Sequence, residues 1–594
     1  MSLEEKITQK FMPDLRFWKE GNCNSTLIPV TSLTPDLQNM YSKYKFGGVI
    51  LFSENTPFAN QTTVLINQLQ EANRVSNKIP MLISIDQEGG AVTNLGGGTV
   101  FPGNMAMAAT GNSKYVYNVA SAIAGEIGSL GFNLNFGLVG DVNSNPNNPV
   151  IGVRSFSSHQ QIVSEYANQY FQGTKSQNII ACAKHFPGEG DSYLDPKYGF
   201  PIVNKTIEQI NEVELNPFKS LVDNGIDMIM AAHIQYPALD NSFITSKLDG
   251  SSIVVPSSLS KKIITSLLKT QMRFGGVVVS DAMSVDPLLK NVGFEESVSL
   301  AFRAGIDIAV MPTIVRCNEE TTFYDELITR VKNDISSGLY SVYELDESVI
   351  RILSLKRKYK LHKYDDTDIS IKISNAVSTV NNPKNKNLEK KVSNYSITLV
   401  KNDPTYGIPF KVGSNDKLLV LMPNSTQNDA VVRYIGELGI NIEIQSANYT
   451  DAVYSSAWEN LVDCSTHVIL GSMVNKNAPE IIGGNVYIGD QSPDAWAFIF
   501  PQNILKRVLE KNLNMAVISL KNPYDVANFE KAPAVICAYG FKGIINGIYG
   551  EHNIPSAIST IFGKSKPKGK LPVDIYSIFD NTTIRYPLGF GITM

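Results

Sequence analysis

The chain has 594 residues, 43% of them hydrophobic and 18% charged, with a formal net charge of −4. At roughly 150 residues per domain this length corresponds to two to four domains, and the apolar fraction excludes wholesale disorder. No lysine- or arginine-rich block is present, so neither nucleic acid nor a polybasic membrane contact is expected as a partner.

In chain order, the first 360 or so residues repeat one pattern: a short apolar segment ends in polar or glycine residues, and an amphipathic stretch follows. The apolar segments are FMPDLRFW (11–18), FGGVILF (46–52), MLISID (81–86), NLNFGLVGDV (133–142), IIACAKHF (179–186), IDMIMAAHI (226–234), GGVVVSDAM (275–283) and IDIAVMP (306–312). Stretches such as NQTTVLINQLQEANRV and PSSLSKKIITSLLKTQM space apolar residues three and four apart, as helices do. Strands apolar on both faces belong to a parallel sheet covered by helices. Eight such units predict a (β/α)₈ barrel over residues 1–362, with a doubly wound open sheet as the alternative. A closing helix is expected at 347–361 and a polar linker, or partly helical packing, at 363–387. From 388 to 594, KLLVLMPN, NIEIQ, THVILGSM, NMAVISL and AVICAYGF read as buried strands between helices, hence a three-layer α/β sandwich.

The cysteines, Cys23, Cys182, Cys317, Cys464 and Cys537, are scattered and show no CxxC spacing. They imply neither a disulfide framework nor a zinc site, and they point to a reducing compartment. No apolar run is long enough for a membrane span, and MSLEEKITQKF is charged where a signal peptide would be apolar. A cytoplasmic location is expected, or a periplasmic or secreted one if a leader has been removed.

Active sites of such barrels lie at the C-terminal ends of the strands. Asp86 follows the third apolar segment, Lys184 and His185 close the fifth, His233 the sixth and Asp281 the seventh, while a proline- and asparagine-rich loop after the fourth leads to Arg154. One acid at a strand end is usually a helix cap, but five strand ends converging on one rim with both signs of charge form a pocket. Asp86, Arg154, Lys184 and His185 suit a polyhydroxylated, uncharged ligand. Asp281, rigidly placed after an apolar run, is suited to attack or stabilise an oxocarbenium-like centre. His185 and His233 lack metal-ligand spacing, and Gly96–Gly98 precede no helix-opening lysine, so neither a metal nor a nucleotide cofactor is expected.

IDQEGG, FPGNMA, NPNNPVIGVRSF, KHFPGEGDSYLDPKYGFP (184–201), MAAHIQYPALD and FGGVVVSDAM resemble family 3 glycoside hydrolases. Ser280-Asp281-Ala282 is similar to the β-N-acetylglucosaminidase branch, where β-glucosidases usually have Ser-Asp-Trp. NPYDVANF, AISTIFGKSKPKGKLPVDIY and YPLGFGI resemble the α/β sandwich of the two-domain form. The resemblance implies a carbohydrate substrate, Asp281 as nucleophile, and Asp86, Arg154, Lys184, His185 and His233 as sugar-binding residues; a homodimer is compatible with it. Two departures stand out. Where the family carries the acid/base histidine after an aspartate, this chain has Asp195-Pro196-Lys197, and the arginines that commonly follow DQEGG are Ala91 and Asn94. Lysine ionises too high, about 10.4 against about 6.5 for histidine, to replace it well. Three readings follow: an acid of the same loop (Glu189, Asp191 or Asp195) takes the role; an acid arrives from 475–494 (Glu480, Asp490 or Asp494); or the chain binds sugar with weakened catalysis. A transglycosylase or phosphorylase, in which a sugar or phosphate replaces water, fits the same residues.

Overall fold

The computed structural model describes residues 1–193, 199–474, 496–577, 580 and 582–594, together with the backbone of 480–482 and 485–487. Its first sheet is built from β1 (Phe11–Met12), β2 (Gly48–Leu51), β3 (Leu82–Ile85), β4 (Leu134–Val139), β5 (Ile180–Phe186), β6 (Met228–Ala231), β7 (Val277–Ser280) and β8 (Ala309–Val310). Strands β2 to β7 form one parallel sheet in sequential order, and β1 pairs in parallel with β8. Parallel bridges Asp14–Ile50 and Val279–Ile308 join the two sheets into a ring. The result is a TIM-type α/β barrel, with helices including α1 (Ala59–Ser76), α2 (Ser113–Leu130), α3 (Gln160–Lys175) and α4 (Val342–Lys358) between or after its strands.

The two-faced apolar pattern has a direct structural meaning. Met12, Ile50, Leu82, Leu134, Phe136, Ile180, Met228, Val277 and Ile308 fill the barrel interior with Ile352 and Leu355 of α4. Their neighbours Val49, Ile83, Leu138, Ala181, Ile229 and Val278 pack outward in the larger helix-facing core. Each fully buried aliphatic chain contributes about 1.5–3 kcal/mol. The first and last segments are shorter as strands than the pattern suggests. Pro13 has no N–H to extend a ladder, and Phe17–Trp18 instead pairs antiparallel with Ile28–Pro29.

The second sheet comprises β9 (Thr398–Asn402), β10 (Lys417–Met422), β11 (Glu443–Asn448), β12 (His467–Ser472), β13 (Asn514–Ser519) and β14 (Ala534–Cys537), in the order β9-β14-β13-β12-β10-β11. It is parallel except for the edge strand β9. Leu418, Val420 and Met422 face one apolar cluster, and Leu419 and Leu421 face another.

Between the sheets, residues 369–379 and 383–396 are helices, α5 (Ile369–Thr379) and α6 (Pro383–Ser396), so the expected start of the second unit at 388 falls inside α6. Asp368 caps α5, and Asn382 with Pro383 starts α6. α5 buries only Ala376, which is why its sequence reads as linker. Asn381 N and Asn385 Nδ2 donate to the buried Glu126 Oε1 of α2 at 3.0 and 2.7 Å.

A further correction concerns the cysteines. Cys23 and Cys317 form a disulfide across 294 positions, with Cα atoms 5.2 Å apart; Cys182, Cys464 and Cys537 are free. Among the described residues the one metal-compatible cluster is Cys23, Cys317 and Glu319, whose two sulfurs that bond already joins. No described helix is long and apolar enough to cross a membrane.

Candidate active site

The strand ends place two linked groups of charges at the barrel mouth. On the β3–β5 side, Arg154 donates to Glu88 through Nε (2.9 Å) and Nη2 (2.7 Å). Lys184 Nζ bridges Asp86 Oδ1 (2.6 Å) and Glu88 Oε1 (2.8 Å). Burial alone would raise the Glu88 carboxyl, but Arg154 and Lys184 hold it down at about 2. Lys184 is correspondingly raised: Asp86 and Glu88 outweigh its desolvation.

The second group centres on Asp141, which is wholly buried. Its Oδ2 accepts from His185 Nδ1 at 2.7 Å, and its Oδ1 accepts from Glu189 N at 2.7 Å. His185 Nε2 lies 3.4 Å from Arg154 Nη2. Burial opposes the imidazolium, yet Asp141 raises the His185 pKa above its ordinary value. Gly190 follows, and a Cβ there would collide with the Val142 carbonyl; that close approach fixes Glu189 over Asp141. Glu189 is 2% exposed, and its Oε1 has no hydrogen-bond partner. Burial, assisted by Asp141 and Asp281 and opposed by His185, pushes its pKa up to about 7.

Asp281 ends β7. Its backbone N–H donates to Ala231 O (2.9 Å), and its own Oδ1 accepts from Ala282 N (2.7 Å). Burial would raise its carboxyl, but His185, His233, Ala282 N–H and Lys184 hold it below its ordinary value. His233 is itself lowered by burial, against the opposing pull of Asp281. His233 Nε2 donates to Ala282 O (3.1 Å), and Nδ1 accepts from Ser258 Oγ (2.7 Å). The ring therefore braces the backbone beside Asp281.

Of the residues expected from sequence, Asp86, Arg154, Lys184, His185 and Glu189 join this network directly, and Asp281 and His233 lie within its field. Asp191 turns away to Lys205 Nζ (2.9 Å) and Ser144 Oγ (3.0 Å). Asp195, Lys197, Asp490, Asp494 and the Glu480 side chain lie outside the described residues. Sequence reading missed Glu88 and Asp141. Both carried a signal: Asp141 ends the fourth apolar segment, and Glu88 stands two residues beyond Asp86.

The second sheet reaches this rim by the C-terminal ends of its strands. Asn522 Oδ1, after β13, accepts from Val153 N at 2.8 Å; Asn143 Nδ2 donates to Tyr524 OH at 2.6 Å; Lys542 Nζ, after β14, donates to Thr93 Oγ1 at 2.6 Å. Gly152 (φ +42°) admits this contact, since a Cβ would meet the Asn522 side chain. A cavity of about 640 Å³ lies elsewhere, at the N-terminal ends of β3–β5 beside α1, α2 and residues 361–379. Of its two lysines, Lys363 and Lys372, the latter is bonded to Asn67 Oδ1 and Asp365 O.

A TIM-type barrel whose mouth gathers one carboxyl held below its ordinary range, a second raised to about 7 and a polar, charge-balanced wall has the features of an acid–base enzyme. Residues 2–355 match the family described as glycosyl hydrolase family 3 N terminal domain. β-Hexosaminidase A of Pseudoalteromonas piscicida is 30% identical over 596 residues, covering 97% of each chain. The chain belongs to glycoside hydrolase family 3. Two solved structures share its fold. A family 3 β-N-acetylglucosaminidase from Paenibacillus sp. str. FPU-7 has a TM-score of 0.77 and 24% identity, covering 97% of this chain and 99% of that one. A β-glucoside phosphorylase, BglX, has a TM-score of 0.76 and 22% identity, covering 97% and 95%.

Proposed function

We propose that the chain is a retaining exo-β-N-acetylglucosaminidase that removes terminal N-acetylglucosamine from peptidoglycan- or chitin-derived fragments. Asp281 attacks the anomeric carbon and forms a glycosyl ester as the leaving-group oxygen departs. Glu189, protonated near neutral pH, gives that oxygen its proton; as a carboxylate it then takes a proton from the water that cleaves the ester. Asp86, Arg154, Lys184 and His185 hold the sugar hydroxyls. Lys197 stands in sequence where the family has its histidine, and lysine's ordinary ionisation, about 10.4, is too high for acid/base work at neutral pH, which leaves proton transfer to Glu189. The carrying observation is one pocket that drives two carboxyls apart, Asp281 down and Glu189 up to about 7. The hexosaminidase relative supports the sugar, and Ser280-Asp281-Ala282 supports the branch. Residues 1–362 then act as the catalytic unit and the C-terminal sheet as its partner at the rim. The Cys23–Cys317 bond favours an oxidising compartment.

A mechanism-based fluoro-sugar tests the nucleophile: stoichiometric mass gain on Asp281 is expected, with Asp281→Ala inert toward an aryl N-acetylglucosaminide. Reversible binding without labelling would leave a sugar-binding protein. A sugar 1-phosphate product that requires added phosphate would make the chain a phosphorylase.

A further inference from the structure

Glu189 is held at both ends of its backbone by the loop that follows β4. Strands β4 and β5 are neighbours, with Val139 paired to Lys184, so the loops leaving them run side by side. Asp141 opens the first of these loops and Glu189 lies on the second. Glu189 N donates to Asp141 Oδ1 at 2.7 Å, and Glu189 O accepts from Asn148 Nδ2 at 2.7 Å. One residue further on, Gly190 O accepts from Asn145 N at 3.2 Å. Asn148 is itself fixed, because its Oδ1 accepts from Val150 N (2.9 Å) and Ile151 N (2.7 Å). Asp141, Asn148 and Glu189 are all buried, so no solvent competes for these bonds.

Asp141 joins two parts of the site. The same carboxylate accepts from His185 Nδ1 at 2.7 Å and from His185 N at 3.2 Å, so three N–H donors converge on its two oxygens. An ionised carboxylate has acceptors for all of them, whereas an amide of the same shape turns its own N–H toward one of the donors. Giving Nδ1–H to Asp141 also fixes the His185 ring, whose Nδ1 stands 3.7 Å from Glu189 Oε2. Among the described residues Glu189 Oε1 has no partner, which leaves its proton free to be given away. We propose that Asp141 and Asn148 are positioning residues for proton transfer, clamping the Glu189 backbone so that its carboxyl meets the leaving-group oxygen. This role rests on the reading of Glu189 as the acid. A donor already in place adds no ordering cost to the reaction, and a displacement of about 1 Å costs about 10²-fold.

Steady-state kinetics of the full chain on two N-acetylglucosaminides, one with an activated aryl leaving group and one with a sugar leaving group, test the clamp. Asn148→Ala should lower kcat on the sugar leaving group about tenfold, the worth of one hydrogen bond, at unchanged KM. Asp141→Asn should lower it about 10²-fold. His185 loses its partner as well in that variant, so KM rises on both substrates. Each variant should lose at least tenfold less in kcat on the activated glycoside, and neither should add to the loss of Glu189→Gln when combined with it. Equal losses in kcat on both leaving groups, or losses that multiply with Glu189→Gln, would overturn the positioning role. Asn148→Ala leaves the Asp141 carboxylate in place and decides the matter alone if Asp141→Asn does not fold. A Glu189→Gln variant that loses equally on both substrates would overturn the reading of Glu189 as the acid, and the clamp's role through it.

Discussion

Replacing Glu189 by glutamine preserves shape and removes a titrating carboxyl, so its consequences can be worked out with a sign. An ordinary glutamate ionises at 4.5, and Glu189 at about 7. At about 1.4 kcal/mol per tenfold, carrying this buried charge costs the folded chain about 3 kcal/mol. The folded state keeps the proton to higher pH than the unfolded state does. Wild-type stability from this group is therefore full below about 4.5, declines as pH rises through about 7, and is flat beyond. Glu189→Gln should match wild type near pH 4 and exceed it by up to about 3 kcal/mol near pH 8.5 in denaturant titrations. The same variant should lose about 10²–10⁴-fold in turnover of substrates with poor leaving groups, lose far less on activated aryl glycosides, and lack the alkaline limb near 7. A stability difference that does not change with pH, or equal losses on both leaving groups, would refute the assignment.

Glu88→Gln strips the shared carboxylate from Arg154 and Lys184, and a loss of about 3–5 kcal/mol is expected from the buried charges left behind; melting curves measure it, and a change below 1 kcal/mol would mean water already screens the cluster. Cys317→Ser opens a loop of 294 positions, for which chain entropy sets a loss of roughly 6 kcal/mol. A matching fall in wild-type stability on adding a thiol reductant, absent in the variant, would identify the bond as its source.

Legibility in the sequence followed the range of the interactions. The barrel could be read because strands buried on both faces leave a continuous apolar signature, as in Ile179–Phe186. Asp281, Lys184 and His185 could be read because they end such runs. Glu88 and Asp141 obeyed the same rule but stand among neighbours that look like turn residues. α5 and α6 were legible only as a polar linker or partly helical packing, because their burial is slight and their anchor, Glu126, lies some 255 positions away in sequence. Contacts such as Asn522 with Val153 and the Cys23–Cys317 bond join residues that no local pattern connects.

The docking of Asn522, Tyr524 and Lys542 on the loops after the third and fourth strands has a consequence for traffic. Under the proposed exo reading, this contact closes the mouth opposite Asp281, and a polymer enters tip first, surrendering one residue before it backs out. Loosening that wall, for instance with Asn522→Ala, should let internal linkages slide past and turn a trimming enzyme toward cutting mid-chain.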